Sequence, residues 1–175
     1  RIRDKGYEIL YLTDEPDQFV MNLLGELDGK AFKSVSDSDA LPESEEEKAQ
    51  AEKKAEENKD VLDFVKETLG DKIKEARISK ILKTGAVCMT ADGPVTLEME
   101  KYFRRVDPDH ADNMKAQRVL ELNPDSGAFA ALREAMESDQ EKAKVYAELL
   151  YHQALLIAGL PIEDTTRYTE LVCSL

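Results

Sequence analysis

The stretch Gly6–Leu27, GYEILYLTDEPDQFVMNLLGEL, decides how the rest of this sequence is read. Tyr7, Ile9, Leu10, Tyr11 and Leu12 form an almost unbroken apolar run containing one Glu. Such a run suits a strand covered on both faces, as in a parallel sheet. Asp14 is placed to cap a following helix, with Pro16 near its first turn, where a missing N–H costs nothing. Phe19, Val20, Leu23 and Leu24 give that helix an apolar face, and Gly25 ends it. A second short strand is expected near Phe32–Val35. A parallel strand needs neighbours, yet only five residues precede Gly6. The expectation is therefore a chain that starts partway through a larger fold.

The 175 residues suit one domain, or one domain plus part of another. With 42% hydrophobic residues the chain can bury a core. Charged residues make up 35%, and the net charge is −13. So acidic a surface argues against nucleic acid as a partner, because phosphate binding needs Lys and Arg patches. No run approaches the roughly 20 apolar residues of a membrane helix. Cys88 and Cys173 are far apart and unpatterned, which speaks against a disulfide framework and for a reducing compartment.

After residue 35 comes SDSDALPESEEE, a polar connection containing Pro42, and here the domain boundary is placed. Ser44 and Glu47 fit a capping box for a helix rich in Glu, Lys and Ala. Its apolar face arrives late, at Ala51, Ala55, Leu62, Val65 and Leu69, and Gly70 closes it. Intermixed charges over its first half read as a solvated face rather than an acidic docking arm. Ile73–Ile78, Ala86–Ala91 and Arg118–Leu122 read as three strands, the last with Leu120 and Leu122 on one side. Helices fill the intervals, at about Val95–Val106 and at Ser126–Met136, where Phe129, Leu132 and Met136 share a face.

Two helices end the chain, about Gln140–Ala158 and Thr165–Leu175. Asp139 and Asp164 are their expected N-caps, and Gly159 with Pro161 stops the first, giving an αα-hairpin. Ala143, Tyr146, Ala147, Leu150, Ala154, Ile157 and Ala158 line one face of the long helix. Val145, Leu149, Tyr151, Leu155 and Leu156 occupy others. From Leu149 onward this helix is apolar nearly all round and must be covered on most sides. Tyr168, Leu171, Val172 and Leu175 give the short last helix its apolar face. Two readings stay open on pattern alone: a fully intramolecular core, or a second side packed on a copy of itself.

Met99, Tyr102, Phe103 and Val106 follow i, i+3, i+4, i+7, a complete stripe that by itself reads as ordinary core. Asp107-Pro-Asp109-His110-Ala-Asp112 invites a calcium-loop reading, but Ala111, Asp112 and Arg118 stand where that loop needs a ligand, Gly and Glu. A solvated loop is expected, and no metal. There is no glycine-rich phosphate cradle. Neither His110 nor His152 has a spacing that pairs it with Cys88 or Cys173 as base and nucleophile. His152 reads as a polar position on the tail helix.

Gly6–Asp14, Pro16–Phe19 and Glu26–Lys30 closely resemble the end of the middle domain of the heat shock protein 90 family of molecular chaperones, bacterial type. There a GYEVLYLTD strand, a PxDEF-like helix start and an E-x-D-G-K turn follow one another. Ala76–Ile78 with Ile81–Leu82, Val87–Asp92, Met99–Phe103, Leu120–Pro124, Glu148–Leu156 and Leu160–Asp164 continue the likeness in the family's order and spacing. The resemblance implies an α+β chain in parts. Residues 1–35 would be a β-α-β remnant of the middle domain, and 36–43 a linker. Residues 44–175 would be a C-terminal dimerisation domain, with a small three-stranded sheet, flanking helices and a hairpin forming a dimeric four-helix bundle.

The resemblance also implies roles. Tyr146, Ala147, Leu150, Ala154, Ile157, Tyr168, Leu171 and Val172 would form the homodimer interface. Met99, Tyr102, Phe103 and Val106 would contact unfolded or partly folded client proteins. ATP and magnesium would be bound only by the full-length protein, and the catalytic arginine of the middle domain would lie before Arg1. This chain would carry no catalytic residue and no cofactor, and would not be an enzyme. The ending Ser174-Leu175 is neither an acidic MEEVD tail nor an endoplasmic-reticulum retention tail, so a bacterial cytoplasmic member is expected. A free-standing dimeric adaptor without client binding is the alternative.

Overall fold

The computed structural model describes residues 6–14, 16–34 and 44–174, apart from the side chains of Glu47, Ala111 and Asp112. The expected connection through Pro42, with Val35 and Leu175, lies outside the described residues, as do the side chains of Glu47 in the capping box and of Asp112. Seven α-helices and two small sheets are present among the described residues, an α+β architecture as the sequence implied. The chain divides into two compact units.

The first unit comprises the described part of residues 1–42 together with Ala91–Ala116. The strand expected over Tyr7–Leu12 is not formed. These residues pair with no ladder among the described residues, and Leu10 and Tyr11 are 64% and 71% exposed. An apolar run marks a segment that should be covered, but a strand also needs a neighbour to bond with. Helix α1 spans Asp17–Leu24, one residue beyond Pro16. Asp14 does not cap it with its side chain. Instead the Asp17 carboxylate accepts the N–H groups of Thr13 and Asp14, at 3.2 and 3.1 Å. Gly25 ends the helix at φ 68°.

A two-residue hairpin follows, β1 (Glu26–Leu27) against β2 (Lys30–Ala31), in place of a strand at Phe32–Val35. Its turn residues Asp28 and Gly29 both have positive φ, as a tight hairpin of right-handed twist requires. Farther along the chain, the same unit contains a helix at Leu97–Val106, labelled α4. Thr96 caps it by accepting the Met99 N–H at 3.2 Å. A short 3-10 segment, Pro108–Met114, covers the end of α4.

The second unit comprises Glu43–Thr90 with Gln117–Leu175. The single helix expected from Ser44 to Leu69 is two, α2 (Glu45–Glu57) and α3 (Lys59–Leu69). Asn58 breaks them. Its carboxamide donates to the Lys54 carbonyl at 2.6 Å and accepts from Arg133 at 2.8 Å, while Arg133 also donates to the Glu57 carbonyl. The carbonyls freed by the break are thus answered by side chains. Strands β3 (Glu75–Ile78), β4 (Val87–Asp92) and β5 (Gln117–Leu122) form a sheet in the order β3-β5-β4. β3 and β5 run parallel, with Ala76 opposite Leu120 and Ile78 opposite Leu122. The central strand is the most buried: Val119, Leu120 and Leu122 are fully enclosed.

Helices α5 (Gly127–Ser138), α6 (Gln140–Ala158) and α7 (Thr165–Cys173) complete this unit. Ser126, Asp139 and Asp164 cap them by accepting the N–H three residues on. Both aspartates therefore act as the sequence indicated. Gly159 closes α6 in the left-handed region at φ 69°, and the Leu160 N–H reaches back to the Leu155 carbonyl at 2.9 Å. Helix α6 packs on α3, on α5 and on α7. Ala143, Ala147 and Ala154 are small enough for such close approach and are fully buried.

Candidate interaction surfaces

The stripe on α4 begins from its spacing. Leu97 and Glu100 point inward and are buried, while Met99, Tyr102 and Phe103 are half-buried and Val106 is exposed. Helix α1 of the same unit explains the partial cover. The Phe19 ring meets Tyr102 edge-on at 4.9 Å and Phe103 at 5.9 Å, and Asn22 donates to the Met99 sulfur at 3.4 Å. Tyr102 and Phe103 also pack edge-on with each other at 5.7 Å. Edge-to-face rings of this kind hold a geometry worth about 0.5–1.5 kcal/mol beyond burial. Glu100 anchors the inner face. It accepts from Arg104 and from the Ala116 N–H, each at 3.1 Å, so its buried charge is paired and hydrogen-bonded.

The hairpin α6–α7 is the second surface. Of the eight residues named for it, Ala147, Leu150, Ala154 and Leu171 are buried inside the chain's own fold. Tyr146 and Tyr168 are half-buried. Ile157 and Val172 are 67% and 47% exposed. Leu156, which the pattern assigns to another face, is 52% exposed beside Ile157 and adds to the same open apolar area. Its adjacency to Ile157 on a helix apolar all round was the available signal.

One ion pair closes the hairpin. Arg167 of α7 forks onto Glu148 of α6, with N–O distances of 3.1 and 2.8 Å. The hydrogen bonds from Arg167 hold the Glu148 carboxyl below its ordinary range. Deeper in the unit, the Arg118 guanidinium of β5 is buried, donates to the Tyr151 hydroxyl at 2.8 Å and lies 3.6 Å from Glu163. A shallow groove of about 510 Å³ beside the hairpin is lined by Lys142, Val145, Arg167 and Glu170, among others.

The groups that chemistry could use are placed elsewhere. Cys88 lies on β4 near Glu121, a carboxylate that accepts from the Ser79 and Thr90 hydroxyls at 2.9 and 3.2 Å. Burial, then the Glu121 charge, pushes the Cys88 thiol up to about 12. A thiol held protonated is a poor nucleophile. Cys173 is exposed on α7. His110 bonds to the Asp107 carboxylate at 3.0 Å. Among the described residues no three His, Cys, Asp or Glu side chains converge as a metal set, and no helix is long and apolar enough to cross a membrane.

The described residues thus present two partly open apolar helical surfaces on a small α+β fold. Comparison with known proteins identifies the family. The whole chain, residues 1–175, matches the Hsp90 protein family. It is 46% identical over 172 residues to the chaperone protein HtpG of Bacillus subtilis, covering 98% of this chain and 27% of that protein. It is 45% identical over 174 residues to the chaperone protein HtpG of Clostridium acetobutylicum, covering 99% of this chain and 27% of that protein. The HtpG of Shouchella clausii is 45% identical over 172 residues, with 98% and 27% covered. The chain belongs to the Hsp90 family, and it spans about a quarter of the length of these curated relatives.

Proposed function

We propose that this chain is the C-terminal part of a bacterial Hsp90-type molecular chaperone, serving to join two protomers and to offer an apolar surface to unfolded or partly folded clients. Residues 1–35 are the end of a middle domain, 36–43 a linker and 44–175 the dimerisation domain. ATP and magnesium belong to the length of the whole protein that this chain does not span, and the protein works in the cytoplasm. The observation that carries the reading is the pair Leu156 and Ile157, left 52% and 67% exposed at the C-terminal end of α6. Neighbouring large apolar side chains left open at a helix end favour a partner surface over solvent. A self-complementary patch closes as a two-fold pair, with both hairpins forming a four-helix bundle. Solution mass measured against concentration tests this. A dimer of the chain is expected at micromolar concentration, and a monomer there removes the dimer reading.

The α4 stripe is the second part of the proposal. Met99, Tyr102 and Phe103 are only half covered, and Val106 is open. Met and aromatic side chains suit weak contact with many sequences, since they are adaptable and polarisable. In the full-length protein, Phe103→Ser is expected to reduce suppression of client aggregation several-fold while the melting temperature falls by only a few degrees. Unchanged suppression would remove Phe103 from client contact. A collapse of folding would instead identify Phe103 as core under Phe19.

A further inference from the structure

His152 lies on α6, is only 4% exposed, and presents both ring nitrogens to the interior with no hydrogen-bond partner among the described residues. Tyr151 and Tyr168 flank it edge-on, each at 5.5 Å between ring centres. A neutral imidazole tolerates that setting. An imidazolium, with two N–H donors and a full charge, does not unless it finds an acceptor. The charged groups facing it are Lys72 beyond α3, Glu148 on α6, and Glu163 and Asp164 in the loop before α7. Arg118 of β5 and Arg167 of α7 stand behind them.

Each of these carboxylates already has work. Glu148 holds Arg167, Asp164 caps α7, and Glu163 lies beside Arg118. Glu148 is the one within easy reach, because it sits four residues before His152 on the same helix, where side chains meet. Two cations then compete for one carboxylate. We propose that His152 is a pH-sensitive latch: once protonated, its ring takes Glu148 from Arg167 and releases α7 from α6. The proposal concerns contacts within one chain and stands whether or not the hairpin self-associates.

The direction of the titration agrees with this geometry. Burial, then the Lys72 charge, holds His152 below the ordinary histidine range. The docked hairpin therefore keeps the ring neutral while a released hairpin accepts the proton. Docking is complete above about pH 6.5 and is lost as pH falls below it, by up to about tenfold per pH unit.

The chain has two histidines, so His110→Gln leaves a single ring signal for NMR titration. The His152 midpoint is expected below about 6.5. Amide exchange of α7, corrected for its intrinsic rate, is expected to rise about tenfold between about pH 7.5 and 5.5 in the unaltered chain. With His152→Leu it should change by less than about twofold over the same range. An ordinary ring midpoint, or the same rise in His152→Leu, overturns the latch. If His152→Leu does not fold, the ring midpoint and the exchange of the unaltered chain still decide it, because pH-independent exchange overturns it equally.

Discussion

Replacing Leu156 and Ile157 together by Glu is expected to turn a two-fold assembly of this chain into monomers, with helix content unchanged. Both side chains stand more than half in solvent, so within one chain the change is a surface substitution worth about 0.5 kcal/mol or less. In a two-fold pair each substitution occurs twice. Four carboxylates would then be taken out of water without partners, at a cost of several kcal/mol each in ideal burial. Even a total loss of about 3 kcal/mol weakens association about a hundredfold. Sedimentation across a concentration series reads the mass, and circular dichroism reads the helices. A dimer of unaltered strength would mean that the partner copy sits elsewhere. The contrast is Leu150→Glu or Ala154→Glu. Those positions are buried against the chain's own core, so a charge there is expected to unfold the unit rather than only separate two copies.

That contrast also shows what the hairpin's pattern could and could not reveal. Tyr146, Ala147, Leu150, Ala154 and Ile157 share a face by helical spacing, and the spacing is real. Spacing identifies a face that needs cover, not the neighbour that covers it. In the structure α3, α5 and α7 take most of that face, and only its far end around Ile157 stays open. The same limit explains α4, where Phe19 reaches Tyr102 from a helix some eighty residues earlier. Local features were legible because their causes are local. Asp139 and Asp164 cap helices three residues ahead, and Gly25 and Gly159 end the helices they follow. Features with distant causes were not. Asn58 breaks a helix with the help of Arg133, 75 residues on, and Tyr7–Leu12 wants a ladder that the described residues do not supply.

Leu120→Ala is expected to be the most costly single truncation among the sheet residues, at about 3 kcal/mol within a range of 2–5. Three strands were visible in the sequence with nothing to rank them. The order β3-β5-β4 ranks them, because it puts β5 in the centre although it comes last in the chain. Leu120 is 0% exposed, with parallel β3 on one side and β4 on the other. Removing three carbons there leaves a cavity that two hydrogen-bonded neighbours cannot collapse to fill. Ile81→Ala removes as many carbons from a side chain that is 37% exposed, and should cost less than about 1 kcal/mol. For a chain of this size the two differ by roughly 5–10 °C in melting temperature. Thermal unfolding of the two variants side by side gives the answer. Equal losses would mean that the centre of this unit lies among its helices, with the sheet as a covering layer. A larger loss for Leu120 places β5 at the base on which α3, α5 and α6 assemble, and hence beneath the hairpin.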